Sequence, residues 1–209
     1  MTAFTPKTIA ALEAPLVRDN VKQREQAGRK LSYIEGWHAI AEANRIFGFD
    51  GWTRQTLEIH SVSERERTIG KSNPKAGWGV SYIAKVRVTV GEVVREGIGA
   101  GHGIDVDLGL AHESAIKEAE TDAMKRALMT FGNPFGLALY DKEQAHVADG
   151  PTMTDLLTAA EATLRAAAAE GGEFLKAAWL RLDPDLKPAL KKLLDETLKP
   201  LAANKEKAA

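Results

Sequence analysis

WGVSYIAKVRVTVGEVVREGIGAGHG, residues 78–103, decides the architecture. Val80, Tyr82, Ala84, Val86, Val88 and Val90 alternate with Ser81, Ile83, Lys85, Arg87 and Thr89. A period of two is that of a strand with one face buried and one face wet. Gly91-Glu92 reads as a tight turn, and Val93 to about Gly99 pairs back as a hairpin. A Gly-rich passage follows, Gly97-Ile-Gly-Ala-Gly-His-Gly103. Beyond it a long helix is predicted from about Leu110 to Phe131. Ala111, Ala115, Ala119, Ala123 and Ala127 recur every fourth residue, a narrow stripe of small side chains, and Ile116, Met124, Leu128 and Phe131 widen it. Gly132-Asn133-Pro134 stops it. A sheet followed by a helix that packs on it is an α+β plan.

Working outward, Trp52 to about Val62 supplies a third strand. Helix 36–47 places Trp37, Ile40, Ala41, Asn44 and Phe47 on one face, with Gly48 as its end. Residues 16–34 hold two extended runs, Leu16–Lys22 and Lys30–Ile34, joined by a polar, basic connection from Gln23 to Arg29. Thr5-Pro6 caps a first helix that ends near Pro15. Composition changes near Gly150-Pro151, a turn signal. An Ala/Leu/Lys/Glu-rich stretch follows, with helices predicted at 152–170, 173–182 and 186–201. Their expected core is Phe174, Trp179, Leu190, Leu194 and Leu198. The domains are therefore drawn as 1–148 and 149–209, the second a small helical region with a frayed end.

Of 209 residues, 28 are Lys or Arg and 29 Asp or Glu, a net charge of −1. Taken over the whole chain, that balance argues against a generic, strongly basic nucleic-acid binder. The absence of Cys excludes disulfide frameworks, zinc ribbons and thiol catalysis. The opening MTAFTPKTIAALEAP lacks a basic segment leading into a long apolar core, so no secretory signal is expected. No apolar run has the length of a membrane span.

Chemistry-bearing patterns are few. The GxGxG passage lacks both the Lys-Ser/Thr of a phosphate loop and the second half of a dinucleotide fingerprint. A Gly cluster on the exit of a hairpin more often marks a close backbone approach. His38, His60, His102, His112 and His146 stand at no ligand spacing. His102 and His112 lie near Asp105, Asp107 and Glu113, where a metal or a small hydrolytic site is the sharp reading and ordinary surface histidines the bland one. No nucleophile elbow or catalytic carboxylate motif is present, so the reading is of no catalytic residue, no metal and no cofactor. Cations do cluster: Arg18, Lys22, Arg24, Arg29 and Lys30; Lys85 and Arg87 on one strand face with Ser81 and Thr89; Lys125-Arg126 on the long helix. Donors spaced in this way suit phosphates, and Tyr33 and Trp37 nearby suit bases. The competing reading is a solvated surface with helix ion pairs Glu113–Lys117 and Asp122–Arg126.

KLSYIEGWHAIAEANRIFGFDGW (Lys30–Trp52) and EAETDAMKRALMTFGNPFGLALYDK (Glu118–Lys142) resemble the core signatures of the Rad fifty-two family of single-strand annealing proteins. GVSYIAKVRVTV and the Gly-rich hairpin exit stand between them in the family's order. The resemblance covers about residues 15–145. It implies a β-hairpin, a helix, a three-stranded antiparallel sheet and a long packed helix, assembled into rings that hold single-stranded DNA in a groove. The implied function is to anneal complementary strands in homologous recombination or double-strand break repair, without nucleotide hydrolysis. Carried over by position, the inner groove would use a basic residue before the YIEG strand, Arg24 or its rival Lys22. It would also use Tyr33, stacking on a base or packing beneath the hairpin, and the pair Lys125 and Arg126. A further basic residue often follows that pair; Met129 stands there, which implies either one fewer phosphate contact per subunit or a substitute such as Arg87 from the sheet. Lys85 joins Arg87 on that face. An outer DNA site would use Lys75, but Asp105 and Asp107 occupy positions where a basic residue would be expected.

The short tail suggests a bacterial, phage or mobile-element member, cytoplasmic and nucleoid-associated. The tail either docks on the ring or binds a partner, a single-strand DNA-binding protein or a recombinase. The rival to the DNA-binding reading is a structural oligomeric scaffold in which the cations make intersubunit ion pairs.

Overall fold

The computed structural model describes residues 4–26 and 28–208, without the side chains of Gln26, Arg29 and residues 204–208. The chain divides into two compact units, Met1–Asp149 and Gly150–Ala209.

In the first unit, helix α1 (Pro6–Glu13) begins where the Thr5 hydroxyl accepts the Thr8 N–H, with Pro6 at the first helical position. Strand β1 (Leu16–Val17) leads to a hairpin of β2 (Val21–Gln26) and β3 (Arg29–Ile34). The polar segment Gln23–Gln26, expected as a connection, is therefore strand, paired in register with Arg29–Ser32. Helix α2 (Gly36–Phe47) follows. Its buried face is His38, Ala39 and Ala43, while Trp37 and Ile40 are exposed, which corrects the face read from the apolar spacing.

Three antiparallel strands in the order β4-β5-β6 make the main sheet. All run longer than their sequence signals: β4 (Thr53–Ile69), β5 (Lys75–Val90) and β6 (Val93–Asp105). Helix α3 (Leu108–Met129) covers one face, opposite Val80, Ala84, Val86 and Val88, all fully buried. The Gly-rich passage lies inside β6. Gly97, Gly99, Gly101 and Gly103 face the Ala stripe of α3, whose alanines are fully buried. A Cβ at Gly99 would stand 2.6 Å from the Ala119 carbonyl oxygen, and one at Gly97 2.5 Å from the Ala127 nitrogen. The glycines are there because helix backbone fills the space a side chain would need. Their phosphate-loop reading ends here, since the passage is sealed against a helix.

Phe47, Phe131 and Phe135 cluster below the sheet, with ring centroids 5.4 to 6.5 Å apart. Strand β7 (Val147–Ala148) returns to pair in parallel with β1.

In the second unit, α4 (Met153–Glu170) opens on a reciprocal capping box between Thr152 and Asp155. Then come α5 (Gly172–Arg181) and α6 (Lys187–Leu193), which continues through a wide turn at Leu194–Leu198 into α7 (Lys199–Ala208). Leu164, Leu175, Leu190, Leu194 and Leu198 form its core, with Trp179 partly buried. Phe174, expected in that core, is 61% exposed. Among the described residues no helix is long and apolar enough to cross a membrane.

Candidate nucleic-acid interface

Cross-strand pairing puts Lys22 opposite Tyr33 and Arg24 opposite Leu31, so these four side chains share one face of the β2–β3 hairpin. That face looks into a groove of about 1050 Å³, which α3 enters with Asp122, Lys125, Arg126 and Met129. The Arg24 guanidinium and the Lys125 ammonium each lie 5.7 Å from the centre of the Tyr33 ring. Both are within the range in which a cation is drawn to an aromatic ring. Lys125 also donates to the Ile34 carbonyl at 3.4 Å. The two motifs of the sequence thus meet at one place, and their packing explains the glycine between them. A Cβ at Gly36 would stand 2.7 Å from the Thr121 methyl.

The cations differ in what neutralises them. Arg126 is held by Asp122 at 3.0 Å. Lys85 and Arg87 both reach Glu96, at 2.8 and 2.6 Å, on the sheet face turned away from α3. That shared pairing holds the Glu96 carboxyl below its ordinary range. Lys22 donates to the Asp19 carbonyl at 3.3 Å and, among the described residues, forms no ion pair. Among the described residues Arg24 and Lys125 form no ion pair. Burial lowers the Lys125 pKa, the Asp122 carboxylate opposes the shift, and the Arg24 charge adds to it. Two cations without a carboxylate partner, one of them partly desolvated, are the natural seats for phosphate oxygens.

Of the residues expected to bind DNA, the fold therefore gathers Arg24, Tyr33, Lys125 and Arg126 at the groove, with Lys22 on the same hairpin face. Lys85 and Arg87 line no part of it. Lys75 stands at the start of β5, opposite Ile69 at the far end of that hairpin. Arg29, counted with the hairpin cations, has its side chain outside the described residues.

The remaining candidates are structural here. Asp107 caps α3 by accepting the Leu110 N–H at 2.9 Å, and Asp105 accepts the Asp107 N–H at 2.9 Å. Acids stand before the helix because its first N–H groups need acceptors. The His102 ring bonds the Ser81 hydroxyl at 2.9 Å, and the His102 backbone N–H donates to the Glu118 carboxylate at 2.8 Å. His112 joins Tyr82 at 3.1 Å and Glu64 at 3.1 Å. Sequence reasoning missed Tyr140, which is 65% exposed on the groove wall and belongs to the GLALYDK end of the second motif.

The hairpin and the long helix thus bring an aromatic ring within 5.7 Å of two cations that, among the described residues, form no ion pair, the chemistry of a candidate site for an anionic polymer. Residues 6–153 match the Rad52/22 family of double-strand break repair proteins, and the chain belongs to that family. It is similar to the DNA repair and recombination protein rad22 of Schizosaccharomyces pombe, 38% identical over 148 residues, 68% of this chain and 30% of that protein. It is also similar to radC of Emericella nidulans, 38% identical over 152 residues, covering 68% of this chain and 25% of the relative. RAD52 of Eremothecium gossypii is 40% identical over 139 residues, 64% and 30% of the two chains. The chain thus spans under a third of the length of these relatives.

Proposed function

We propose that residues 1–148 bind single-stranded DNA and anneal complementary strands in recombination and repair, by geometry rather than by bond-making. The observation that carries this reading is the Tyr33 ring within 5.7 Å of both Arg24 and Lys125, two cations that form no ion pair among the described residues. A strand lying in the groove neutralises its phosphates on Arg24, Lys125 and Arg126, releasing condensed counterions. Bases are read only by their stacking faces, so any sequence fits and the second strand supplies the specificity. No nucleotide is hydrolysed and no cofactor takes part.

Subunits form a closed ring in which the grooves join into one track, multiplying weak contacts through effective concentration. Lys22 extends the track along the hairpin. Lys85 and Arg87 contribute only when phosphate displaces Glu96, and Lys75 belongs to a separate outer contact. The protein works in the cytoplasm, on the nucleoid if its source is a bacterium or a phage, and residues 149–209 recruit a partner that also handles single strands, a single-strand DNA-binding protein or a recombinase.

The test compares salt titrations of oligonucleotide binding. Replacing Lys125 and Arg126 by Ala reduces the slope of log affinity against log salt by about 1.4, two phosphates at roughly 0.7 each for a single strand. Lys85→Ala with Arg87→Ala changes it less. Equal effects of the two pairs would remove the groove assignment, and no effect of either would favour the scaffold reading.

A further inference from the structure

The C-terminal unit contains a second concave surface, of about 380 Å³, on the side formed by α5, the Leu194 turn and α7. Its floor is apolar: Leu175, Trp179, Leu194 and Ala202. Its rim carries Lys176, Lys191 and Lys199, and among the described residues no carboxylate lines it. This unit as a whole has equal numbers of acids and bases, so the concentration of one sign here is a matter of placement. Three of its acids are engaged elsewhere. Asp155 caps α4, Glu161 pairs with Arg165 at 2.7 Å, and the Asp183 carboxylate accepts the Asp185 N–H at 3.0 Å. Asp195 is shared between Lys199 at 2.7 Å and Lys191 at 3.5 Å, so that among the described residues one carboxylate answers the rim's three ammonium groups.

We propose that this groove docks an acidic peptide segment of a partner protein, anchored by a bulky apolar side chain. The volume is at the small end of ligand pockets, enough for one or two large side chains. An apolar floor encircled by ammonium groups is complementary to a peptide whose carboxylates flank such an anchor, which would steer the encounter and fix its register. Single-stranded DNA fits less well. The floor is mostly aliphatic, and the Lys187 ammonium already lies 5.9 Å from the centre of the Trp179 ring, the one surface on which a base could stack. The inference deepens the recruitment reading by naming the surface and the chemistry of its ligand.

Fluorescence anisotropy of the full chain tests it, with a fluorescein-labelled peptide of consecutive aspartates ending in Leu-Phe. The peptide should bind, and replacing either its aspartates by Asn or its Leu-Phe by Ser should weaken binding about tenfold. Lys176→Glu with Lys199→Glu should weaken it by a similar factor. So should Ala203→Phe, which fills the groove from an exposed position without changing charge. Melting temperature and binding of a labelled oligonucleotide should not change in either variant. Binding that survives both variants would place recruitment elsewhere on the chain and overturn the groove. Failure of the peptide to bind would overturn it too, as would loss of oligonucleotide binding in the lysine variant, which would give these cations to DNA. Annealing is scored separately in the same samples, so its failure is distinguishable from failure of the groove.

Discussion

The Lys125 ammonium stands 5.7 Å from the centre of the Tyr33 ring, across a groove whose walls come from opposite ends of the family's domain. Residue 33 lies on the hairpin and residue 125 on the long helix, so the pair exists only in the folded chain. Burial and the neighbouring Arg24 charge make the ammonium easier to deprotonate than a free lysine, while Asp122 opposes them. A phosphate arriving beside it reverses that bias.

Replacement of Tyr33 separates stacking from packing. Tyr33→Phe keeps the ring and should leave oligonucleotide affinity nearly unchanged. Tyr33→Leu removes the stacking face and should cost about 1–3 kcal/mol of binding, with an unchanged melting temperature. A fall in melting temperature with affinity preserved would make the ring a packing element only.

Lys125 sets an alkaline limit. Its pKa is lowered from 10.5 in the free protein and raised by a bound phosphate, so binding takes up a proton once the free ammonium begins to titrate. Affinity should therefore decline as pH rises, beginning below the range of an ordinary lysine. Lys125→Arg, which stays charged throughout, should flatten the decline. The sign for folding is opposite: between the lowered pKa and 10.5 the unfolded chain holds more protons, so this group's contribution to stability rises with pH.

Gly99 tests the sheet–helix contact. Gly99→Ala should destabilise the first unit by about 3 kcal/mol, because its methyl meets helix backbone that cannot rotate away. Chemical denaturation measures it. Gly91→Ala is the contrast: no atom lies within 4 Å of the added carbon, and the cost is confined to the strain of a φ of 56° in the turn.

His38 gives the fold an acid sensitivity. It is 6% exposed, and its Nε2 has no hydrogen-bond partner among the described residues. Burial lowers its pKa below 6.5, against the smaller opposing pull of Glu42. Its contribution is fully present above 6.5 and is lost as pH falls from there through the lowered folded value. His38→Leu should flatten the dependence of Tm on pH in that window. An unaltered slope would show that other groups set it.

These contacts mark where the sequence was readable. The valines of β5 and the alanines of α3 announce their faces because each pattern repeats at the period of its element. Strand β6 was cut short because glycine has low strand propensity, and only the helix lying against it makes glycine the residue that fits. Beyond Val62, β4 reads SERERT and is exposed along most of its length, so no alternation records it. On α2 the buried residues are His38, Ala39 and Ala43, with Phe47 packed against the core, whereas the apolar spacing also picks Trp37 and Ile40, which are exposed. The motifs led to Tyr33, Lys125 and Arg126. That Arg24 and Lys125 form no ion pair among the described residues, whereas Lys85 and Arg87 share Glu96, depends on cross-strand register that spacing within one strand does not show.

The same distinction sharpens the meaning of a net charge of −1. A balanced chain still offers a cationic track where acids are committed to caps and to other cations. Binding should accordingly fall steeply with salt and be weak away from the groove.

The most direct measurement is the rate at which the full chain pairs two complementary, fluorescently labelled oligonucleotides, with neither ATP nor magnesium present. Pairing should be accelerated over the spontaneous rate and should return to that rate when Lys125 and Arg126 are both replaced by Ala. Acceleration that requires ATP, or that persists undiminished in the double variant, would contradict the account.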